Sequence, residues 1–163
     1  MDVDSASFRK VMGHYPTGVC VITSIAPGGA AVGLTVGTFT SVSLNPPLIG
    51  FFPDKKSTSW PLIGAAGQFC VNILASDQEA VCRTFSVPAP DRFAEISHSH
   101  SQAGLPVLDG AAGWLDCDIY SVVEAGDHYF VLGRVKAMSA DEVASPLIFH
   151  KGRFGQVSML QAS

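Results

Sequence analysis

Charge is scarce in this chain: Asp, Glu, Lys and Arg make up 15% of its 163 residues, against roughly 25% in an ordinary globular chain. Hydrophobic residues make up 47%. That balance excludes a disordered segment, which is poor in apolar residues, and a charge-laced coiled coil. It also leaves too little charge to solubilise a lone subunit of this size, so part of the surface is expected to be covered by a second copy. The formal net charge of −4 has the wrong sign for general binding to nucleic acid or anionic membranes. Long apolar runs are missing: stretches such as residues 46–52 fall far below the roughly 20 residues of a membrane-spanning helix. The start, Met1-Asp-Val-Asp-Ser5, is acidic where a signal peptide is basic, and a cytoplasmic location is expected.

Cysteine is limited to Cys20, Cys70, Cys82 and Cys117, with no Cys-x-x-Cys pair. Three of the four lie inside apolar runs, which predicts buried, reduced thiols rather than a disulfide scaffold. Neither Gly-x-Gly-x-x-Gly nor Gly-Lys-Ser/Thr occurs, which removes the dinucleotide-fold and P-loop readings. The absence of Gly-x-Ser-x-Gly leaves a serine hydrolase without support.

The 16 glycines and 10 prolines favour short strands joined by turns. An opening helix is predicted over residues 5–15, with Phe8, Val11, Met12 and Tyr15 on one face, Asp4 or Ser5 as cap and Pro16 as stop. Apolar runs of strand length follow at residues 18–25, 30–36, 38–44, 48–52 and 69–74. Helices are predicted at 60–66, capped by Ser59 and ended by Gly67, and at 76–85, where Ser76-Asp-Gln-Glu79 reads as a capping box. Residues 91–96 read as a further helical turn and 97–104 as loop. Strands are predicted again at 113–123, 128–138, 147–150 and 154–160. Strands dominate and do not alternate with helices. The pattern therefore predicts one mainly β domain, an antiparallel barrel or sandwich rather than a doubly wound sheet.

Three segments could carry chemistry. Asp54-Lys-Lys-Ser-Thr-Ser-Trp60 gathers two cations and three hydroxyls just before a helix start. Unpaired N–H groups there favour an anion, and Lys55 or Lys56 with Ser57, Thr58 and Ser59 could hold one phosphate. A solvated loop capped by Ser59 would read the same way. In Gly33-Leu-Thr-Val-Gly-Thr-Phe-Thr-Ser-Val-Ser43 small and hydroxyl residues alternate with apolar ones. Gly37 would let a planar heterocycle approach the backbone beside Thr38 or Ser41, although an ordinary strand with one solvent face fits too. Gly126-Asp-His128 enters a strand that continues to Gly133-Arg-Val135. Its histidine could position a ligand or simply lie on a surface turn. His98-Ser-His100 has the alternate spacing of two metal ligands but lies in a Ser-rich stretch without acidic or thiol partners, so no metal site is expected. Asp116 and Asp118 read as solvent-facing. Asn72, polar within an apolar strand, must be paired if buried, by structure or by ligand.

Together these residues resemble the flavin reductase-like family, the small reductase components of two-component flavin monooxygenases. The resemblance is carried, in family order over about residues 8–157, by Pro16-Thr-Gly18-Val, Gly33-Leu-Thr, Phe39-Thr-Ser-Val-Ser-Leu-Asn-Pro-Pro-Leu48, Lys56-Ser-Thr-Ser-Trp60, Phe69-Cys-Val-Asn72, Asp91-Arg-Phe93, Gly126-Asp-His128 and Gly152-Arg-Phe154-Gly. It implies an FMN-binding split β-barrel, a homodimer, and reduction of FMN or FAD by NADH or NADPH for a separate oxygenase. By matching positions, Val36, Gly37, Thr38, Ser41 and Val42 would line the flavin ring or its ribityl chain. Lys55, Ser57, Thr58 and Ser59 would hold its phosphate, with Asn72 and Phe85 nearby. His128 would be the catalytic histidine on the nicotinamide side, bordered by Arg153 and Phe154. The family often has Asn, Ser or Cys where Gly37 stands, and a basic residue where Thr84 stands. Two other readings remain: a split-barrel flavoprotein that keeps FMN and acts on an organic substrate, and a non-enzymatic flavin or haem binder.

Overall fold

The chain opens with a short helix, α1 (Ser5–Met12). Asp4 caps it: its Oδ1 accepts from the Ala6 and Ser7 amides at 3.0 and 2.9 Å. In this computed structural model, which describes residues 2–161, the rest is mainly β. The strands are β1 (Thr17–Gly18), β2 (Cys20–Ile25), β3 (Ala31–Val36), β4 (Thr40–Leu44), β5 (Pro47–Phe51) and β6 (Gln68–Ile73). Then come β7 (His98–His100), β8 (Pro106–Leu108), β9 (Gly113–Ala125), β10 (His128–Ala140), β11 (Leu147–His150) and β12 (Arg153–Gln156). Two helices are inserted, α2 (Trp60–Ala66) and α3 (Glu79–Ser86). Among the described residues no helix is long and apolar enough to cross a membrane.

Seven strands form one antiparallel sheet in the order β3-β2-β6-β9-β10-β5-β4. The chain therefore passes from one edge strand, β3, directly into the other, β4. The sheet curls so far that residues near both edges share one core: Leu34 and Val36 of β3 cluster with Ile49 and Phe51 of β5, and with Ile22, Phe69, Val71 and Val131 between them. The barrel is thus split, since β3 and β4 are not hydrogen-bonded to each other. Bulges at Leu132/Gly133 and Val135/Ala137 bend the long β9–β10 ribbon, as curling requires. Gly133 sits at a tight point beside the first bulge: a Cβ there would lie 2.5 Å from Phe69 Cζ, so no side chain fits.

Alternation along β2 explains its unbroken apolar run. Cys20 and Ile22 face the barrel interior, while Val21 packs outward with Leu74, Cys82, Phe85, Phe93, Leu108 and Leu147. α3 and the β7–β8 hairpin cover this outer face, so both faces of β2 are buried. Burial also explains the thiols: all four are free and buried, and desolvation pushes Cys20 and Cys117 up to about 12.

Several sequence expectations are corrected. The opening helix ends at Met12 rather than running on to Tyr15, and Asp116, expected to face solvent, is buried. Residues 97–104 are not all loop, because His98–His100 pairs with Pro106–Leu108. The second inserted helix begins at Glu79, not Ser76; Glu79 is drawn to Arg83 at 2.6 Å, and Gln78 folds back to accept from the Ala75 amide at 2.9 Å. Residues 91–96 make a turn without a helix. The last strand is Arg153–Gln156, ending before the apolar tail that had extended it.

Candidate functional site

The main cleft, about 510 Å³, opens beside the split, between the chain leaving β3 and the chain leaving β5. On one wall are Val36, Gly37 and Thr38; on the other are Phe52, Pro53 and Asp54. The two walls are tied together by Thr38, whose Oγ1 accepts from the Phe52 amide at 3.0 Å. Phe85, Ser86 and Val87 at the end of α3 form a third side. Phe85 rests directly on the β3 backbone. A Cβ on Gly33 would lie 2.8 Å from its Cε1, so this glycine is what lets the ring seat itself at 2% exposure.

One end of the cleft is built for an anion. The loop before α2 turns on Asp54, whose carboxylate accepts from the Lys56 amide at 2.7 Å and whose carbonyl accepts from the Ser57 amide at 3.0 Å. Ser59 stands at the N-cap position, as expected, but its side chain caps no amide; Ser57 Oγ instead accepts from the Trp60 amide at 3.1 Å. The amides of Thr58 and Ser59, between these, have no acceptor among the described residues. The loop is anchored from below. Ile63 of α2 is fully buried and Trp60 is edge-on to Phe51, with centroids 5.9 Å apart. Lys56 and Arg92 line the same end. Arg92 donates from Nη1 to the carbonyls of Gly33 and Phe85 at 3.0 and 3.1 Å, and from Nη2 to Ser59 Oγ at 3.0 Å. One guanidinium thus locks β3, α3 and the anion loop into register. Two cations, free amides and hydroxyls outweigh the single carboxylate of Asp54.

His128 also lines the cleft, beside the turn on Asp54. The hairpin turn that carries it is stapled to the β5 exit: Asp54 and His128 form a β-bridge, the Lys55 amide donates to Asp127 O, and the Tyr129 amide donates to Pro53 O, both at 3.0 Å. His128 Nδ1–H donates to Asp127 Oδ1 at 2.7 Å. That bond and the histidine's charge hold the Asp127 carboxyl below its ordinary value.

The cleft therefore brings together Val36, Gly37, Thr38, Ser57, Thr58, Ser59, Phe85 and His128 of the sequence-predicted site. Other expected residues lie elsewhere. Lys55 points away, its ammonium 3.5 Å from Glu124 and 5.3 Å from the Tyr129 ring centroid; Lys56 takes its place. Ser41 and Val42 are exposed on edge strand β4, outside the cleft. Asn72 is fully buried on β6. Its amide donates to Val21 O at 3.2 Å and Thr23 Oγ1 at 3.0 Å, and its carbonyl accepts from the Leu108 amide at 2.8 Å. It clamps β2, β6 and β8 and has no free polar atom for a ligand. Phe154 lines a neighbouring cavity of about 200 Å³ that shares Thr35, Gly37 and Ser86 with the cleft. Arg153 is exposed opposite His150 in the last hairpin. Residues that sequence reasoning missed are Phe52, Asp54, Ser86 and above all Arg92, whose motif Asp91-Arg-Phe93 was visible without a role. Among the described residues no group of three or more His, Cys, Asp or Glu could hold a metal ion.

The chain matches the flavin reductase like domain family over residues 12–158. It is 48% identical over 153 residues to a flavin reductase of Pseudomonas putida, covering 94% of this chain and 90% of that protein. It is 41% identical over 152 residues to the flavin-dependent monooxygenase reductase subunit HsaB of Rhodococcus jostii, covering 93% and 77% of the two chains. In structure it matches nitrilotriacetate monooxygenase component B from Mycobacterium thermoresistibile with a TM-score of 0.92 at 38% identity, over 98% of this chain and 92% of that one. With fold, cleft and comparisons in agreement, the chain belongs to the flavin reductase-like family.

Proposed function

We propose that the chain reduces FMN or FAD with NADH or NADPH and passes the reduced flavin to a separate oxygenase. The observation that carries this reading is the pair of free amides at Thr58 and Ser59, set between Lys56 and Arg92 at one end of the cleft. Amides with no protein acceptor and two flanking cations fit a phosphate monoester. The cleft volume is in the range of roughly 300–1,000 Å³ usual for small-molecule sites. Relatives support the rest: an Agrobacterium fabrum relative is an FMN reductase (NADH), and the structurally similar SgcE6 of Streptomyces globisporus is an NADH:FAD oxidoreductase. HsaB and a trigonelline monooxygenase component are reductases of monooxygenase systems, which supports an oxygenase as recipient.

The residues divide the work by position. Thr58, Ser59, Lys56 and Arg92 would hold the phosphate. Val36, Gly37 and Thr38 would present backbone and hydroxyl to the flavin ring, with Phe85 closing the far side. A bound flavin supplies the hydride-accepting ring, so the protein need furnish no nucleophile. His128, with its Nδ1 proton committed to Asp127, has its other ring nitrogen free to position a nicotinamide nucleotide at the mouth. The chain would work as a homodimer. Exposed Phe8, Val11, Met12 and Tyr15 on and after α1, with Val42 and Leu44 on edge strand β4, supply apolar surface for a second copy.

The test is NADH or NADPH oxidation by the purified protein with FMN and with FAD. Oxidation that depends on added flavin supports the reading. No oxidation with either flavin overturns it, and colour retained through dialysis with turnover of an organic substrate supports a flavoprotein oxidoreductase instead. A solution mass about twice the 17.1 kDa of the chain supports the homodimer.

A further inference from the structure

A cavity of about 290 Å³ lies on the outer face of the barrel, between β9, β10 and the turn that joins β7 to β8. It shares no lining residue with the main cleft. Asp116 and Asp118 of β9 both line it, while Cys117 between them packs into the barrel core. Asp116 is only 3% exposed, and its Oδ1 is buried with no hydrogen-bond partner. Among the described residues it enters no ion pair. A carboxylate taken out of water without a donor is costly, so one set in a cavity wall points to a donor that arrives from outside.

The neighbours do not supply that donor. The Cys70 thiol beside Asp116 is a weak donor. Burial first, and then the Asp116 charge, push that thiol up, so it stays protonated and brings no countercharge. Lys136 lines the cavity, but its ammonium sits 3.3 Å from Asp118 Oδ2. Arg134, two residues away, lies over the Tyr120 ring at 5.4 Å.

Charge and size then set the class of ligand. Two carboxylates and one ammonium leave the lining with a formal charge of −1, which a single positive charge balances. A divalent metal ion fits poorly, because Lys136 already holds Asp118 and no group of three or more His, Cys, Asp or Glu is present among the described residues. The volume is several times the roughly 30 Å³ share of one water, which is room for a short carbon chain as well as a charged head. Leu105, Ala103 and Ala137 give that chain an apolar wall. We propose that this cavity binds a small organic ammonium ion, with Asp116 taking the charged head and Leu105 covering the carbon chain.

The experiment is an NMR titration of the full chain, without flavin, with n-butylammonium chloride at constant ionic strength. The unaltered protein should show saturable shifts at the amides around Asp116 and Gln102, with a Kd of about 1–10 mM, as expected of a ligand this small. Asp116→Asn keeps the shape and removes the charge; Ala103→Trp keeps the charge and narrows the cavity. Each should weaken binding about tenfold or more, and well-dispersed spectra show that each variant is folded. n-Butanol, the same chain without the charge, should bind at least about tenfold more weakly. Absence of saturable shifts in the unaltered protein overturns the proposal, as does affinity unmoved in both variants. Equal binding of n-butanol would make the cavity merely apolar, and the same shifts from sodium chloride alone would make it an inorganic cation site; either result overturns the proposal. None of these readouts involves flavin or nicotinamide, so the flavin reading stands or falls separately.

Discussion

Replacing Lys56 by alanine is expected to weaken flavin binding, while the same change at Lys55 leaves it nearly unaltered. The two side chains are neighbours in sequence, but Lys56 lines the anion end of the cleft and Lys55 turns back to Glu124 and Tyr129. A hydrogen bond to a charged group contributes about 1.5–3 kcal/mol when well shielded, and an exposed ion pair about 0.2–1 kcal/mol. Lys56 is exposed in the free protein and would be only partly shielded by a ligand, so about 1–2 kcal/mol is expected, roughly 5- to 30-fold in Kd. Lys55→Ala should stay within about twofold, because its ammonium is too far round the loop to act except through screened charge. The assay is calorimetric titration with FMN at low ionic strength, repeated near 1 M salt, where a Debye length of about 3 Å should shrink the Lys56 effect. Equal losses at both lysines, or no loss at Lys56, would refute the assignment.

His128→Ala should raise the nicotinamide KM or slow flavin reduction while FMN affinity stays nearly constant, and unchanged reduction kinetics would remove that role. Asp127 has a lowered pKa, so its pairing with His128 holds above the ordinary carboxylate range and is lost as pH falls through that lowered value; the His128 ring signals in NMR should change below about pH 4, and not in Asp127→Asn. Gly33→Ala drives a Cβ to 2.8 Å from the Phe85 ring, which should cost about 1–3 kcal/mol in urea unfolding and weaken FMN binding by displacing a cleft wall. Asn72→Leu strips partners from Val21 O and the Leu108 amide and should lower stability by about 2–4 kcal/mol with FMN affinity kept; lost affinity at full stability would restore Asn72 as a ligand contact.

How far the sequence could be read follows from how local each signal is. Apolar runs of strand length and Pro/Gly punctuation placed β2, β3, β5, β6, β9 and β10 within a few residues, and α2 to the residue, because those patterns are set by neighbours in the chain. The hairpin of β7 and β8 was hidden because His98-Ser-His100 is polar, and its strand form is imposed by a partner that begins at Pro106. The false capping box shows the same limit: Gln78 Nε2 donates to Asp109 O at 2.9 Å, a contact that no local pattern reveals. The anion loop was legible as composition. Which lysine faces the cleft was not, since that depends on the Asp54 turn and on Glu124 from β9. Arg92 was the largest omission, and its three bonds span 33, 59 and 7 residues of sequence.

The account turns on where the phosphate of the flavin lies, and a crystal structure of the chain with FMN measures that directly. The account predicts the phosphate against the Thr58 and Ser59 amides, between Lys56 and Arg92, with the ring running along Val36, Gly37 and Thr38. A phosphate placed anywhere else, with those two amides still facing water, would contradict it.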